Sequence, residues 1–536
     1  MDLKRRDVIK LGGLGVAGAA AGTLLPVGNL IRAADPSTID PAFLPDPFTT
    51  AFRRPPVLRP HDRRRGPDGV WTDFYELSQR MTNAQILKGG RTTRMFGYNG
   101  HVPGPTIKAT QGRRIRLRVR NQLPPRHPSI GHDTTTSVHL HGSASLPQYD
   151  GYASDVTPSG FYKDYHYPNF QPARTLWYHD HGAHHTAQNV FSGLVAQYHM
   201  HDKVERALLP QGEFDVPLIV SDVAFDEAGQ LRFDDGGHSG IYGDVVLVNG
   251  RPWPVMKVKR RVYRFRMLAA SVSRSWRWRL GPGHPMTIVA TDGGLMPKSQ
   301  TVSEFRHGGA ERYEVLIDFS KFRPGTRVVL NNLSNDNNRD FLHTDKVMAF
   351  DVVDDPFDKS DPTWNRIPER LADSHVMHLS PGMEKRRRTL NLERFLGQWT
   401  INGQTWKDVE DSDFQMLLAD PNLNDVEMWT IANRSGGWFH PLHIHLVDFR
   451  IISRNGQPPH PWELGPKDVV YAGENESVQL LMRFEHQRGR YMVHCHNLTH
   501  EDHDMMGQFA VGWKPGQPDR NDPMRAARCR FDDLPG

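Results

Sequence analysis

The segment that decides the fold runs from residue 494 to residue 505 and reads HCHNLTHEDHDM. In an extended strand, alternate side chains point to opposite faces, so His494 and His496 would share one face and Cys495 would lie on the other. His500 and Met505 follow Cys495 by five and ten residues. The segment therefore predicts one strand that serves two metal centres.

The donors in and near this segment indicate the metal of the cysteine centre. His440, earlier in the same block, would add a second imidazole to that of His500. Met505 would add a weak thioether beside the Cys495 thiolate. Two imidazoles, a thiolate and an axial thioether are the ligand set of a blue-copper electron-transfer site. Imidazole alone suits several metals, so it is the cysteine that predicts copper.

Histidine pairs are more frequent than the composition explains. The chain has 28 histidines in 536 residues, and chance placement would give roughly one or two His-x-His triplets. Five occur, at His139/His141, His179/His181, His199/His201, His443/His445 and His494/His496. Four of these pairs offer eight imidazoles for one cluster, whereas we interpret His199 and His201 as surface or hydrogen-bonded histidines without a metal.

The rest of the chain is typical of β structure with frequent turns. From Trp71 onward it contains short apolar runs, such as IRLRV at residues 115–119 and VVLV at residues 245–248, separated by Asn, Gly and Pro. Such runs indicate strands, and no long amphipathic helix interrupts them. We therefore expect a mostly β protein built from sandwiches or barrels.

The length predicts several domains, because 536 residues exceed what one hydrophobic core usually serves. An acidic, proline-containing stretch after residue 353 marks a linker, and a softer boundary lies near residues 202–217. We predict an irregular arm at residues 35–69, domains at 70–205, 215–353 and 375–515, a linker at 354–374 and a C-terminal tail at 516–536.

Residues 1–34 resemble a twin-arginine export signal. The stretch KRRDVIK at residues 4–10 precedes a Gly- and Ala-rich run that is shorter than the roughly 20 apolar residues of a membrane span. We predict a cleaved signal, interaction with the twin-arginine export machinery and no membrane span after cleavage. The signal also carries three of the five net positive charges, so the remaining chain is nearly neutral and has no electrostatic reason to bind nucleic acid.

Four motifs resemble the copper motifs of the multicopper oxidases. They are HLHG at residues 139–142, WYHDH at 177–181, HPLHIH at 440–445, and HCH at 494–496 continuing to Met505. Further likeness in VPGPT at 102–106, NGRPW at 249–253 and TDGG at 291–294 extends the resemblance over most of residues 70–512. The third block is most similar to bilirubin oxidases, spore-coat laccases and phenoxazinone synthases. The resemblance implies three consecutive cupredoxin-like domains, each a Greek-key β-sandwich.

The resemblance also implies four copper ions per chain. It assigns a type 1 site to His440, Cys495, His500 and Met505. It assigns type 2 copper to His139 and His443, and the type 3 pair to His141, His179, His181, His445, His494 and His496. The resulting trinuclear cluster would lie between the first and third domains. The second domain would be a spacer, with at most a part in the approach of the substrate.

Two carboxylates match the acids near the cluster in bilirubin oxidases and spore-coat laccases. Asp150 follows His141 by nine residues and Glu501 follows His500 directly. We assign a catalytic role to both acids, because reduction of O₂ consumes protons, and to Cys495. Trp438 resembles a tryptophan of bilirubin oxidases, and its role as a core residue or a type 1 neighbour stays open. Spore-coat laccases carry a disulfide. This chain departs from them because it has no second well-placed cysteine: Cys529 lies in a basic tail that we expect to be loose.

These features predict an oxidase that takes single electrons from phenolic, aminophenolic or tetrapyrrole donors at type 1 copper and reduces O₂ to water at the cluster. The alternative is a cuprous oxidase in copper tolerance, for which the family often adds a Met-rich segment, and the 18 methionines here are scattered. Loss of copper ligands would mark a non-enzymatic relative, and every ligand is retained. We expect O₂ and a small-molecule reductant as partners, and a periplasmic or extracellular location.

Overall fold

The structure is a computed structural model, and it describes residues 36–531 except residues 337 and 373. The predicted export signal therefore lies outside the described residues. Among the described residues, no helix is long and apolar enough to cross a membrane. Strands dominate, so the prediction of a mostly β protein is confirmed.

Apolar residues that alternate with charged ones form the strands of the first third. In the stretch RIRLRVRN, Ile115, Leu117 and Val119 are buried while the intervening arginines face outward. The elements are Thr50–Ala51 (β1), Val57–Leu58 (β2), Asp62–Arg65 (β3), Trp71–Ala84 (β4), Thr93–Tyr98 (β5), Thr106–Thr110 (β6), Arg114–Asn121 (β7), Val138–His141 (β8), Phe161–Tyr167 (β9), Arg174–Asp180 (β10), Thr186–Phe191 (α1), Val195–His201 (β11) and Lys203–Leu208 (α2).

Strands dominate the middle third, and several of them are buried on both faces, as a continuous apolar run such as VVLV requires. The strands are Asp215–Val223 (β12), Val245–Val248 (β13), Arg251–Pro252 (β14), Pro254–Lys259 (β15), Val262–Ala269 (β16), Trp276–Leu280 (β17), Met286–Thr291 (β18), Gly294–Val302 (β19), Glu304–His307 (β20), Arg312–Asp318 (β21), Arg327–Asn332 (β22) and Lys346–Val353 (β23).

The last third carries the strands of the HCH motif and two short helices. Its elements are Arg386–Phe395 (β24), Gln398–Ile401 (β25), Trp406–Asp411 (α3), Val426–Asn433 (β26), His440–Ile444 (β27), Phe449–Arg454 (β28), Val469–Ala472 (β29), Ser477–Arg483 (β30), Gly489–Cys495 (β31), Leu498–Asp502 (α4), Met506–Val511 (β32) and Arg528–Arg530 (β33). Short 3₁₀ helices connect elements at Pro41–Phe43, Pro147–Tyr149, Gly212–Phe214, Phe319–Lys321, Pro362–Trp364, His375–His378 and Pro461–Glu463.

The strands form two sheets in each third of the chain, which is the layered arrangement of a β-sandwich. In the first third the orders are β2-β6-β11-β10-β8 and β3-β4-β7-β9-β33, with β5 on β4. In the middle third they are β1-β15-β23-β22-β17-β20 and β14-β13-β12-β16-β21-β18-β19. In the last third they are β25-β24-β26-β30-β28 and β29-β27-β31-β32.

The arm and the tail differ from the prediction. The arm at residues 35–69 contains three short strands at sheet edges, where β1 pairs with β15, β2 with β6 and β3 with β4. The tail is not loose around Cys529, because β33 pairs with β9 of the first third. An edge strand pairs through its backbone and does not need a buried apolar face, so the hydrophobic pattern gave no signal for it.

A buried ion cluster joins α2 of the first third to the middle third. Arg264 and Arg266 of β16 bind Glu205, Asp215 and Glu314, with Arg266 Nε 2.7 Å from Asp215 and Arg264 Nε 2.8 Å from Glu314. Burial alone would raise the pKa of Glu205 and Asp215. The two guanidinium charges lower it by more, so the pKa of each carboxyl group lies below its ordinary value. Such carboxylates stabilise the fold above their unfolded pKa of about 4 and lose that contribution as the pH falls below it.

We therefore expect the free energy of unfolding to fall steeply once the pH drops below about 4. Urea unfolding of the wild type at pH 7, 4 and 3 measures this fall. A Glu205→Gln variant should be less stable at pH 7 and lose less on acidification, since it has one titrating carboxylate fewer. Equal losses in the two proteins would contradict the role of the cluster.

Candidate metal centre

Strand pairing brings the histidine motifs together. In the last third, β27 and β31 are antiparallel neighbours, and His443 lies opposite His494. In the first third, β8 and β10 place His139 opposite His179. Directly opposed side chains in an antiparallel pair lie about 5 Å apart, so each pair of strands presents its imidazoles side by side.

Eight buried histidines from these four strands and their ends form one cluster. Three groups have nitrogens that all lie within 4.8 Å of one another. The groups are His139, His141 and His443; His141, His179 and His496; and His181, His445 and His494. The structure thus brings together the eight histidines predicted for the trinuclear cluster, between the first and last thirds of the chain.

Most of these imidazoles have one nitrogen fixed by a hydrogen bond. His443 Nδ1 donates to the backbone oxygen of Asp468 at 2.9 Å, and His179 Nδ1 to that of Asp180 at 2.6 Å. His139 Nδ1 donates to the backbone oxygen of Asp150. The other nitrogen of each ring is buried and has no partner. This pattern fits a metal, because a ligating histidine usually donates its second N–H to a carbonyl or carboxylate.

A second sign of a cation is the close approach of nitrogens to each other. His494 Nε2 lies 3.0 Å from His181 Nε2 and 3.1 Å from His445 Nε2. Burial lowers the pKa of His181 to about 4 and of His179 to about 3, so these two rings are neutral. Neutral imidazoles with converging lone pairs are the form in which histidine binds a transition metal.

The cysteine centre lies on the other side of β31. Cys495 Sγ is 3.3 Å from His440 Nδ1 and 3.7 Å from His500 Nδ1, and all three side chains are fully buried. Met505 is buried in the same apolar cluster as Cys495. Burial raises the pKa of the Cys495 thiol, so a thiolate needs a compensating cation at this position. The donor set fits copper.

Both predicted acids contact the histidine cluster. Asp150 Oδ2 accepts a hydrogen bond from His445 Nδ1 at 2.7 Å. Glu501 Oε2 lies 2.8 Å from His494 Nδ1, and its other oxygen lies 3.7 Å from His181 Nδ1. Each carboxylate is therefore placed to orient one imidazole and to hold a proton beside it.

Comparison with known proteins gives the family. Models described as multicopper oxidase match residues 80–204, 197–350 and 374–514. Bilirubin oxidase from Albifimbria verrucaria is 38% identical over 483 residues, which cover 86% of this chain and 81% of that protein. The chain belongs to the multicopper oxidase family. Laccase from Bacillus subtilis strain 168 is 32% identical over 521 residues, covering 86% of this chain and 97% of that protein.

The crystal structure of the multicopper oxidase McoA from Aquifex aeolicus has the same fold. It superposes with a TM-score of 0.72 at 27% identity, covering 86% of this chain and all of that chain. The predicted family and the three cupredoxin-type domains are confirmed. Copper cofactors and the use of O₂ with a reductant follow from the family, so this multicopper oxidase is a copper-dependent oxidoreductase.

Two residues that the sequence did not indicate support the histidine cluster. Asp468 Oδ1 accepts from His141 Nε2 at 3.1 Å, and Arg312 from the middle third binds the same carboxylate. The only signal for Asp468 was a charged Lys-Asp pair directly before the apolar run VVYA at residues 469–472. Arg312 had no local signal, because its partners lie far along the chain.

A third missed residue, Trp399, lies against the cysteine centre. Its ring stacks on His500 with centroids 3.8 Å apart and meets Trp438 edge to face at 5.5 Å. Trp438 is half-buried and lies 5.8 Å from the His500 ring. Both tryptophans thus border the centre, and Trp399 makes the closer contact.

The remaining histidine pair does not join the cluster. His199 and His201 are buried, with His199 Nε2 2.8 Å from Gln197 and His201 Nδ1 3.1 Å from Glu205. Both are therefore hydrogen-bonded histidines that are buried rather than at the surface. Cys495 and Cys529 are both free thiols and form no disulfide with each other.

Proposed function

We propose that this multicopper oxidase holds four copper ions in two centres. His440, Cys495, His500 and Met505 would hold type 1 copper, His139 and His443 type 2 copper, and the type 3 pair would be held by His141, His179, His181, His445, His494 and His496. The supporting observation is that buried nitrogens converge in both centres, and that Cys495 is bonded directly to His494 and His496. Covalent bonds thus link the two centres.

Bound copper would supply one-electron redox chemistry at the cysteine centre and reduction of O₂ to water at the histidine cluster. Cys495 would provide the thiolate and the covalent path to His494 and His496. Glu501 would hold a proton at its carboxylate beside His494 Nδ1, and Asp150 would fix the ring of His445. All these side chains are buried, so bulk water does not compete for their hydrogen bonds.

The proposed donors are phenols, aminophenols and bilirubin-like tetrapyrroles. The similarity to a bilirubin oxidase and to laccases supports this class. A cuprous oxidase is the second candidate, and the scattered methionines do not favour it. We also propose the domain boundaries at residues 70–205, 215–353 and 375–515, and export by the twin-arginine route to the periplasm or the exterior.

The test is a purification with added copper, followed by a visible spectrum, a copper assay and O₂ uptake. We expect about four coppers per chain and an intense band near about 600 nm. O₂ uptake with 2,6-dimethoxyphenol or bilirubin should exceed uptake with Cu(I). A colourless protein after reconstitution would contradict the type 1 assignment, and faster uptake with Cu(I) would favour the cuprous oxidase.

A further inference from the structure

Arg312 begins strand β21 of the middle third and is fully buried. Its guanidinium donates from all five N–H groups. Nε donates to the backbone oxygen of Thr175 at 3.0 Å, Nη1 to Ala310 O at 3.0 Å and Asp468 Oδ1 at 2.7 Å, and Nη2 to Asp292 O at 3.2 Å and Asp468 Oδ2. Arginine alone among the side chains has five donors in a planar fork.

The carboxylate that Arg312 binds belongs to Asp468, which makes two contacts to the histidine cluster. Asp468 Oδ1 accepts from His141 Nε2 at 3.1 Å, which leaves His141 Nδ1 as the free nitrogen of that ring. The backbone oxygen of Asp468 accepts from His443 Nδ1 at 2.9 Å. One residue thus orients a histidine from the first third and a histidine from the last third.

The middle third also holds the backbone of Asp468. Asp292 Oδ2 accepts from the backbone N–H of Asp468 at 3.2 Å and of Val469 at 3.1 Å, and Lys467 Nζ lies 2.9 Å from the same carboxylate. Asp468 is therefore fixed at its side chain by Arg312 and at its backbone by Asp292.

A glycine directly after the HLH motif, Gly142, leaves room for the ion pair of Arg312 and Asp468. Gly142 has a φ of +86°, and a Cβ at this position would lie 2.6 Å from Asp468 Oδ2 and 2.7 Å from Arg312 Nη2. A side chain at position 142 would displace the ion pair from His141. The glycine, the arginine and the aspartate thus form one close-packed unit against the cluster.

We propose that Arg312 is a positioning residue for the copper cluster, and that the second domain completes the cluster rather than serving as a spacer. Through Asp468, Arg312 sets the ring orientation of His141 and His443, one proposed ligand of the type 3 pair and one of type 2 copper. This inference rests on the ligands assigned under the proposed function.

The experiment compares Arg312→Met and Arg312→Lys with Arg264→Lys in the copper-loaded full chain. Lysine keeps the charge but has three donors and no planar fork, so Arg312→Lys should support the copper cluster less well than arginine and better than Arg312→Met. Arg264 is an equally buried arginine on the neighbouring strand β16, its partners are carboxylates, and none of them is a cluster histidine. The readouts are copper per chain, the type 2 signal in electron paramagnetic resonance, and the band near 600 nm.

We expect Arg312→Met to lose about one to two coppers per chain and to alter the type 2 signal, while the 600 nm band is retained. Arg312→Lys should lie between Arg312→Met and the wild type, and Arg264→Lys should match the wild type. If Arg312→Met does not fold, Arg312→Lys decides by the same readouts.

Full copper content with an unchanged type 2 signal in the folded Arg312 variants would overturn the inference. An equal loss of copper in Arg264→Lys would also overturn it, because the effect would then follow from the loss of any buried arginine. A wild-type protein without about four coppers would instead contradict the proposed function, so the two failures are distinguishable.

Discussion

Replacing Cys495 with serine is expected to abolish the band near about 600 nm and to lower turnover with phenolic donors by more than about 10³-fold. The physical reason is the loss of the only thiolate in the cysteine centre, where Sγ lies within 3.7 Å of both His440 and His500. A serine oxygen is a hard, weakly acidic donor that does not replace a soft thiolate. Electrons then lose their entry to the bonded path toward His494 and His496.

Stopped-flow mixing with a phenolic donor under anaerobic conditions measures this effect, together with copper content. Cys495→Ser should fail to become reduced, while the histidine cluster still binds copper because none of its ligands changes. Cys529→Ser is the matched control, since Cys529 lies on β33 and contacts neither centre. A blue, active Cys495→Ser protein would contradict the assignment.

The cysteine and histidine ligands could be predicted from the sequence because their signals are local. Each His-x-His pair lies on a strand or at its end, and the two-residue period of a strand is a property of the backbone. The segment around Cys495 likewise contains most of the donors of its own centre. The pairing of β27 with β31 and of β8 with β10 was not predicted from the apolar runs and is seen only in the structure.

The supporting residues could not be predicted in this way because their partners are distant in sequence. Arg312 and Asp468 are 156 residues apart, and nothing near Arg312 distinguishes it from the other arginines of β strands. Trp399 lies on a short strand, and only the three-dimensional packing places it on His500. The strands of the arm and of the tail were missed for a related reason, since edge pairing is made by the backbone and leaves no hydrophobic pattern.

Replacing Glu501 with glutamine is expected to slow turnover by about 10- to 100-fold while copper content and the 600 nm band stay unchanged. Glutamine has the size of glutamate, and its oxygen would still lie beside His494 Nδ1, so the ring should keep its orientation. The amide has neither the negative charge nor the exchangeable proton of the carboxyl group.

Separate measurement of reduction and reoxidation tests this role of Glu501. Anaerobic bleaching of the blue band by a phenol should keep its wild-type rate, because Cys495 and its neighbours are unchanged. The return of the band after mixing with O₂ should be slowed, since that half of the reaction consumes protons. Cys495→Ser is expected to fail in the opposite half, so the two variants separate electron entry from proton supply.

Asp502→Asn provides the matched control in the same short helix. Asp502 is a buried acid whose oxygens accept from the backbone N–H groups of Thr186 and Ala187 at 3.0 and 2.8 Å, and it makes no hydrogen bond to the cluster histidines. We expect this variant to be less stable and to reoxidise within about threefold of the wild-type rate. Equal slowing in both variants would assign the Glu501 effect to a displaced α4, whereas wild-type reoxidation in Glu501→Gln would show that the carboxyl group supplies no proton.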